Sequence, residues 1–177
     1  MAHILICYAT TQGHTGALAA RAAARLAAAG HAPELWNAAE PPPSVQPPEA
    51  VLLMGSLHMG KHQDALARAA KAGASLWAGK PISFVSVSLA AGSQDATEVE
   101  AARDIAHRFV DEAGLGDVAI HLCAGAVHDS ELNWVTRWLM REILKKHGAT
   151  PDPSGDTVFT DFAAFDAFID AFAGGLR

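Results

Sequence analysis

A chain of 177 residues, half of them hydrophobic and with a formal net charge of −6, has the material for one domain around a single core and is too apolar for a disordered segment. Its acidic balance argues against general affinity for nucleic acid, which depends on cationic surface. No run approaches the roughly 20 apolar residues that cross a bilayer, and Met1-Ala2-His3 lacks the basic start of a secretion signal. The expected location is therefore cytoplasmic, with a peripheral seat on the cytoplasmic face of the inner membrane as the alternative.

Residues 3–8 are almost continuously apolar and read as a strand buried on both faces. The run ends abruptly in Ala9-Thr10-Thr11-Gln12-Gly13-His14-Thr15-Gly16, and an alanine-rich helix follows from His14 to Ala29, with Leu18, Ala22, Arg25, Leu26 and Ala29 at helical spacing and Gly30 as its stop. His31 to Trp36 is a weaker strand, interrupted by Pro33 and so suited to a sheet edge. Pro41-Pro42-Pro43 and Pro47-Pro48 make a stiff connection within the domain. Residues 50–56 are the next buried strand. Leu57 to Gln63 form a polar loop, and Asp64 to Leu76 a helix. Ile82 to Ser88, opened by Pro81, is a strand that again ends in small residues. Residues 97–113 are a helix that turns Val99, Ala102, Ala106, Phe109 and Val110 inward. Val118 to Cys123 closes the series and runs into Ala124-Gly125-Ala126.

The rhythm then breaks. Residues 127–157 read as an insertion containing an amphipathic helix over 131–147. It sets Leu132, Val135, Trp138, Leu139 and Ile143 against Arg137, Arg141, Glu142, Lys145 and Lys146. With Trp134 and Trp138 it suits either packing on its own domain or a membrane interface. Thr160 or Asp161 caps a last helix bearing Phe162, Phe165, Phe168, Ile169 and Phe172. Cys7 and Cys123 lie in apolar strands without metal-type spacing and are expected as two buried thiols. Five strands alternating with helices predict a doubly wound α/β sheet of parallel strands in the order 2-1-3-4-5, with an extra helical insertion between strand five and the last helix. That order separates the two cysteines and brings the loops after strands one, three, four and five to one end.

A strand that empties into a helix start makes an anion site, because the first helical N–H groups lack partners at the positive end of the dipole. The first loop has neither P-loop nor Gly-x-Gly-x-x-Gly spacing. It has Thr10, Gly13 and Thr15 as Thr-x-x-Gly-x-Thr, without lysine. Neutral donors of this kind suit a phosphate monoester; the alternative is an ordinary turn with helix-capping hydroxyls. The other three loops are rich in Gly, Ala and Ser, as a flat ring lying against backbone requires.

The first loop resembles the FMN phosphate loop of the flavodoxin family. Val51 through His62, Pro81 through Leu89, Cys123-Ala124-Gly125-Ala126 and Val158-Phe159-Thr160-Asp161-Phe162 resemble, more narrowly, the flavodoxin-type menaquinone-dependent protoporphyrinogen oxidases of bacterial haem synthesis. The resemblance implies a flavodoxin-like fold and non-covalent FMN. It also implies oxidation of protoporphyrinogen IX to protoporphyrin IX and electron delivery to menaquinone or ubiquinone, with inner-membrane contact through residues 131–147. By position, Thr10, Thr11, Gln12, Gly13, His14 and Thr15 would surround the FMN phosphate. Gly55, Ser56, Leu57 and Gly60 would flank the ring from the second loop, Ser88, Leu89 and Ala90 from the third, and Gly125 and Ala126 from the fourth. His58 is the candidate catalytic residue; His62 and His128 stand near the same edge, and Lys61 is a candidate for a propionate. The second loop has histidine and lysine where that subfamily has arginine and aromatic residues, which keeps two alternatives open: an FMN-dependent quinone reductase or electron carrier, and a flavin-free binding or regulatory domain. No metal site is expected, and oligomeric state is not legible.

Overall fold

The computed structural model describes residues 1–43, 46–128 and 156–176. In chain order the elements are β1 (His3–Ala9), α1 (His14–Ala28), β2 (Ala32–Asn37), β3 (Ala50–His58), β4 (Lys61–His62), α2 (Asp64–Trp77) and β5 (Ile82–Ser88). A short 3-10 turn (Ala90–Gly92) follows, then α3 (Ala96–Ala113), β6 (Ala119–Ala124), β7 (Ala126–His128), β8 (Asp156–Val158) and α4 (Phe162–Gly174). The expected helix over 131–147 lies outside the described residues.

The five long strands are parallel in the order β2-β1-β3-β5-β6, the predicted 2-1-3-4-5. Pro33 stands on the edge strand β2, opposite Ile4, where its missing N–H is tolerated. The sheet has a sixth strand that the sequence did not announce. β4 pairs antiparallel with the end of β3, Leu57 opposite His62 and His58 opposite Lys61. The two residues between them, Met59 at φ 50° and Gly60 at φ 79°, carry the paired positive φ of a tight hairpin turn. A further two-stranded ribbon joins β7 to β8.

Because side chains alternate along a strand, the sheet buries two apolar layers. Ile4, Ile6, Leu52, Met54, Val85 and Cys123 face Leu18 and Leu26 of α1 and Phe165 and Ile169 of α4. Leu5, Cys7, Val51, Leu53 and Phe84 face Leu66 of α2 and Phe109 and Val110 of α3. The two thiols thus lie on opposite faces with β3 and β5 between their strands, and both are free. Burial pushes each of them up to about 12, so neither is a nucleophile at neutral pH.

Helix caps follow the chemistry of short polar side chains. Asp95 accepts from the Thr97 amide at 2.8 Å and caps α3; Asp161 accepts from the Ala164 amide at 2.9 Å and caps α4. Of the two residues expected at the second cap, Asp161 takes the role and Thr160 is left for another. Two α1 arginines fasten α4. Arg21 meets Asp166 through two bonds of 2.7 Å, and Arg25 reaches both Asp166 and Asp170. Arg25 therefore lies at the rim of the helix rather than against the sheet, and Ala29 is exposed beyond the helix end. Val99 is likewise only half-buried, while Ala113 joins the buried face of α3.

Candidate functional site

The order in which strands are added across the sheet reverses between β1 and β3: β2 lies on one side of β1 and β3 on the other. In an open parallel sheet the crevice beyond the carboxyl ends at that point is where ligands bind. The loop from β1 into α1 opens there. Gly13 holds φ 88° and ψ −24°, a conformation that costs an L-residue with a side chain. Its N–H donates to Thr10 Oγ1 at 2.9 Å. The helical ladder begins with the Ala17 amide on the Gly13 carbonyl at 3.0 Å, so the amides of the first turn stand ahead of it, at the positive end of the dipole. Thr11, Gln12 and Gly13 are exposed, Thr10 and His14 half-buried, and Thr15 buried.

The second loop crosses close to the first. A Cβ on Gly55 would stand 2.5 Å from Leu66 Cδ2, so a larger residue here would push the fully buried Leu66 side chain aside. Ser56 and Leu57 are half-buried; His58 and Gly60 are exposed on the hairpin. Gln63 ties the two loops together: its side-chain nitrogen donates to Thr11 Oγ1 at 3.2 Å and also to Ser56 Oγ.

The third and fourth loops are joined through their backbones. The Gly125 amide donates to the Ser88 carbonyl at 3.1 Å, and the Phe159 amide to the Gly125 carbonyl at 3.0 Å. The Ser88 hydroxyl accepts from the Ala91 amide at 3.1 Å, which curls Leu89 and Ala90 into the 3-10 turn. A last link closes the ring of loops. Thr160 Oγ1 donates to the Ala124 carbonyl at 2.6 Å, which can only accept. The 2.8 Å contact between His14 Nε2 and Thr160 Oγ1 therefore has the imidazole N–H as donor. The arrangement is a crevice walled by backbone and small side chains, with hydroxyl and amide donors at the helix start.

Residues 5–154 match the family model described as Flavodoxin domain. The chain belongs to this family. No curated protein matches it in sequence. Solved structures share its fold. A cysteine-to-serine variant of the flavodoxin from Pseudomonas aeruginosa is 17% identical, with TM-score 0.57 and 98% of each chain covered. Oxidised flavodoxin 1 from Bacillus cereus is 14% identical, with TM-score 0.58 and 99% of each chain covered. The flavodoxin of Fusobacterium nucleatum, solved bound to flavin mononucleotide, is 13% identical, with TM-score 0.53 and 99% of this chain and 97% of that one covered.

In this flavodoxin-family chain the residues expected around a phosphate and a ring come from four loops that the fold gathers at the carboxyl end of the sheet. Thr10 to Thr15 are joined to Ser56 through Gln63, and Ser88 to Ala90 to Gly125 through the backbone. Gln63 escaped sequence reasoning because it ends a polar loop and its partners, Thr11 and Ser56, come from two other segments. The His14 ring is turned to Thr160, away from a purely phosphate-facing role. Lys61 pairs with Asp64 at 3.0 Å, both side chains well exposed. Of His128 only the backbone, at the end of β7, is described. Among the described residues no cluster has the donors for a metal ion.

His62 differs most from expectation. It lies beneath the site rather than at its edge, 5% exposed. Its ring is 5.0 Å from both Phe84 and Phe109, and Nε2 is 2.9 Å from Ser86 Oγ. Burial pushes its pKa from 6.5 down to about 4. The unfolded chain therefore binds a proton between these values that the native state refuses. Stability falls as pH drops from 6.5 and levels off below about 4, a loss of roughly 3 kcal/mol. A His62→Phe variant is expected to lack this loss. Burial also lowers His121, but it is present in both proteins, so the difference between their urea-unfolding energies at pH 7 and pH 4 isolates His62. Parallel profiles would contradict the assignment.

Proposed function

We propose that this flavodoxin-family protein binds FMN in the crevice above β1 and β3 and acts as an oxidoreductase that takes hydrogen from protoporphyrinogen IX and passes electrons to a quinone. The observation that carries the flavin part is the lysine-free cradle of Thr10, Gly13 and the α1 start, bound by hydrogen bonds into one ring with three small-residue loops. These residues fit the group. The amides of the first α1 turn, with Thr10, Thr11 and Thr15, would hold the phosphate. Gly55, Ser56 and Leu57, then Leu89 and Ala90, then Gly125 and Ala126, would border the ring. Bound FMN supplies hydride and single-electron chemistry. The chain's own part is to place the ring beside backbone, to neutralise the phosphate with donors rather than a cation, and to keep water from the half-buried Leu57 and Leu89 side.

The substrate part is supported by the likeness of residues 51–62, 81–89, 123–126 and 158–162 to the menaquinone-dependent protoporphyrinogen oxidases. Full oxidation of the porphyrinogen would remove six electrons, so three two-electron turnovers would be needed per product, with a quinone as the electron acceptor. His58, exposed on the hairpin, is the proposed contact for the substrate. Residues 131–147 are the proposed contact with the inner membrane; no helix among the described residues is long and apolar enough to cross one.

One observation favours a second reading, an FMN-dependent quinone reductase or electron carrier. The second loop has no arginine, and its lysine is engaged by Asp64, whereas propionates call for cations. Anaerobic mixing of the FMN-loaded protein with protoporphyrinogen IX or with NAD(P)H separates the two. Bleaching of the flavin by the porphyrinogen, reversed by menadione, is the expected result. Bleaching by the nicotinamide alone would overturn the substrate assignment and leave the flavin assignment standing.

A further inference from the structure

We propose that Gln63 is a positioning residue that fixes the direction in which Thr11 and Ser56 offer their hydroxyl protons to the cofactor. The inference rests on the FMN reading and deepens it. Gln63 occupies the N-cap of α2, yet its side chain makes no cap hydrogen bond. It turns back across the site and donates through Nε2 to Thr11 Oγ1, 52 residues away in sequence, and to Ser56 Oγ. Its own carbonyl oxygen is buried and has no hydrogen-bond partner, lying 3.6 Å from where a Cβ on Gly55 would stand. A buried acceptor left unpaired is uncommon and calls for a reason. The reason offered here is polarity. The amide is held so that both hydrogens go to the two hydroxyls, and nothing is given back.

A hydroxyl oxygen that accepts from Gln63 keeps its own proton free to donate elsewhere. Thr11 is exposed on the phosphate loop and Ser56 is half-buried on the loop beside the ring, so both protons are available to an acceptor in the crevice. That matters more here than in a site with a cation. From Thr10 to Thr15 there is no lysine or arginine, and hydrogen bonds to a charged group are the stronger kind.

The isosteric Gln63→Glu substitution separates polarity from mere bridging. A carboxylate keeps the size and the two contacts, but it accepts only. Thr11 and Ser56 would turn their protons toward it, and a negative charge would be added beside the phosphate. With riboflavin, where the added charge meets no phosphate, a bridge that only holds the loops together would survive this change and fail in Gln63→Ala. An orienting residue gives the opposite order.

The test is titration of wild type, Gln63→Ala and Gln63→Glu with FMN and, separately, with riboflavin, which lacks the phosphate. FMN dissociation constants are expected to rise about tenfold in Gln63→Ala and about a hundredfold in Gln63→Glu, with riboflavin affinity in Gln63→Glu falling much less. If Gln63→Ala fails to fold, Thr11→Val replaces it; removing that hydroxyl leaves α2 intact and is expected to weaken FMN but not riboflavin. Gln63→Glu binding FMN as well as wild type, or losing FMN and riboflavin equally, would overturn the inference while the flavin reading stands. Wild type that takes up no FMN would overturn both.

Discussion

Replacing Gly13 by valine is expected to leave a folded protein whose FMN affinity is down roughly a thousandfold. Nothing lies within 4 Å of a Cβ built on Gly13, so the effect is not a clash with neighbours. It comes from the backbone, held at φ 88°, where a side-chain-bearing L-residue costs about 1–2 kcal/mol and a β-branched one is a genuine outlier. The loop would relax to negative φ. The Gly13 amide would leave Thr10 Oγ1, and the first-turn amides of α1 would no longer converge. The strain alone is small beside a typical total stability of about 5–15 kcal/mol, so folding survives where binding does not. Gly13→Asn is expected to lose only about tenfold, because asparagine tolerates positive φ. Quenching of FMN fluorescence in a titration reads both. A valine variant that binds like wild type would show that the loop does not set the cradle.

Phe84→Ala carries the largest expected loss of stability, about 3–5 kcal/mol. Phe84 is fully buried. It stacks on Phe109 with centroids 4.7 Å apart and meets the edge of His62 at 5.0 Å. Truncation leaves a cavity between β5 and α3 that neighbouring rings cannot fill without leaving Ser86 and the sheet. The same cavity admits water to His62. Since burial is what depresses that imidazole to about 4, its pKa should climb toward the ordinary 6.5 and the acid loss of stability should shrink. Phe84→Leu, closer in volume, should cost less than half as much. Urea unfolding gives the energies, and an NMR titration of the His62 ring gives the pKa. A loss below about 1 kcal/mol in the alanine variant would mean the aromatic cluster is not packed as described.

Much of this was legible in the residues. Buried parallel strands announce themselves by apolar runs, and Pro33 marked β2 as an edge. Thr10, Gly13 and Thr15 marked the turn into α1 because each does something a generic residue does poorly: hydroxyl donation or positive φ. What escaped notice shares a different physics. β4 is two residues, Lys61 and His62, inside a polar run with no period to detect, and its pairing depends on the turn at Met59-Gly60. β7 and β8 are three residues each and meet only across a long sequence separation. The polar run around His62 places it at the edge of the site; its burial depends on Phe84 and Phe109, whose convergence exists only in the folded sheet. Gln63 was invisible for the same reason: its partners Thr11 and Ser56 come from two other segments. Local chemistry shows in sequence, while contacts made by topology do not.

The central claim, that Thr10 to Thr15 and the α1 start hold a flavin's phosphate, is tested most directly by isothermal titration of the flavin-free protein with FMN and with riboflavin. Saturation at one FMN per chain, with FMN bound about a hundredfold or more tighter than riboflavin, is the result the structure predicts. Equal affinity for the two flavins, or no saturable binding of FMN, would contradict it.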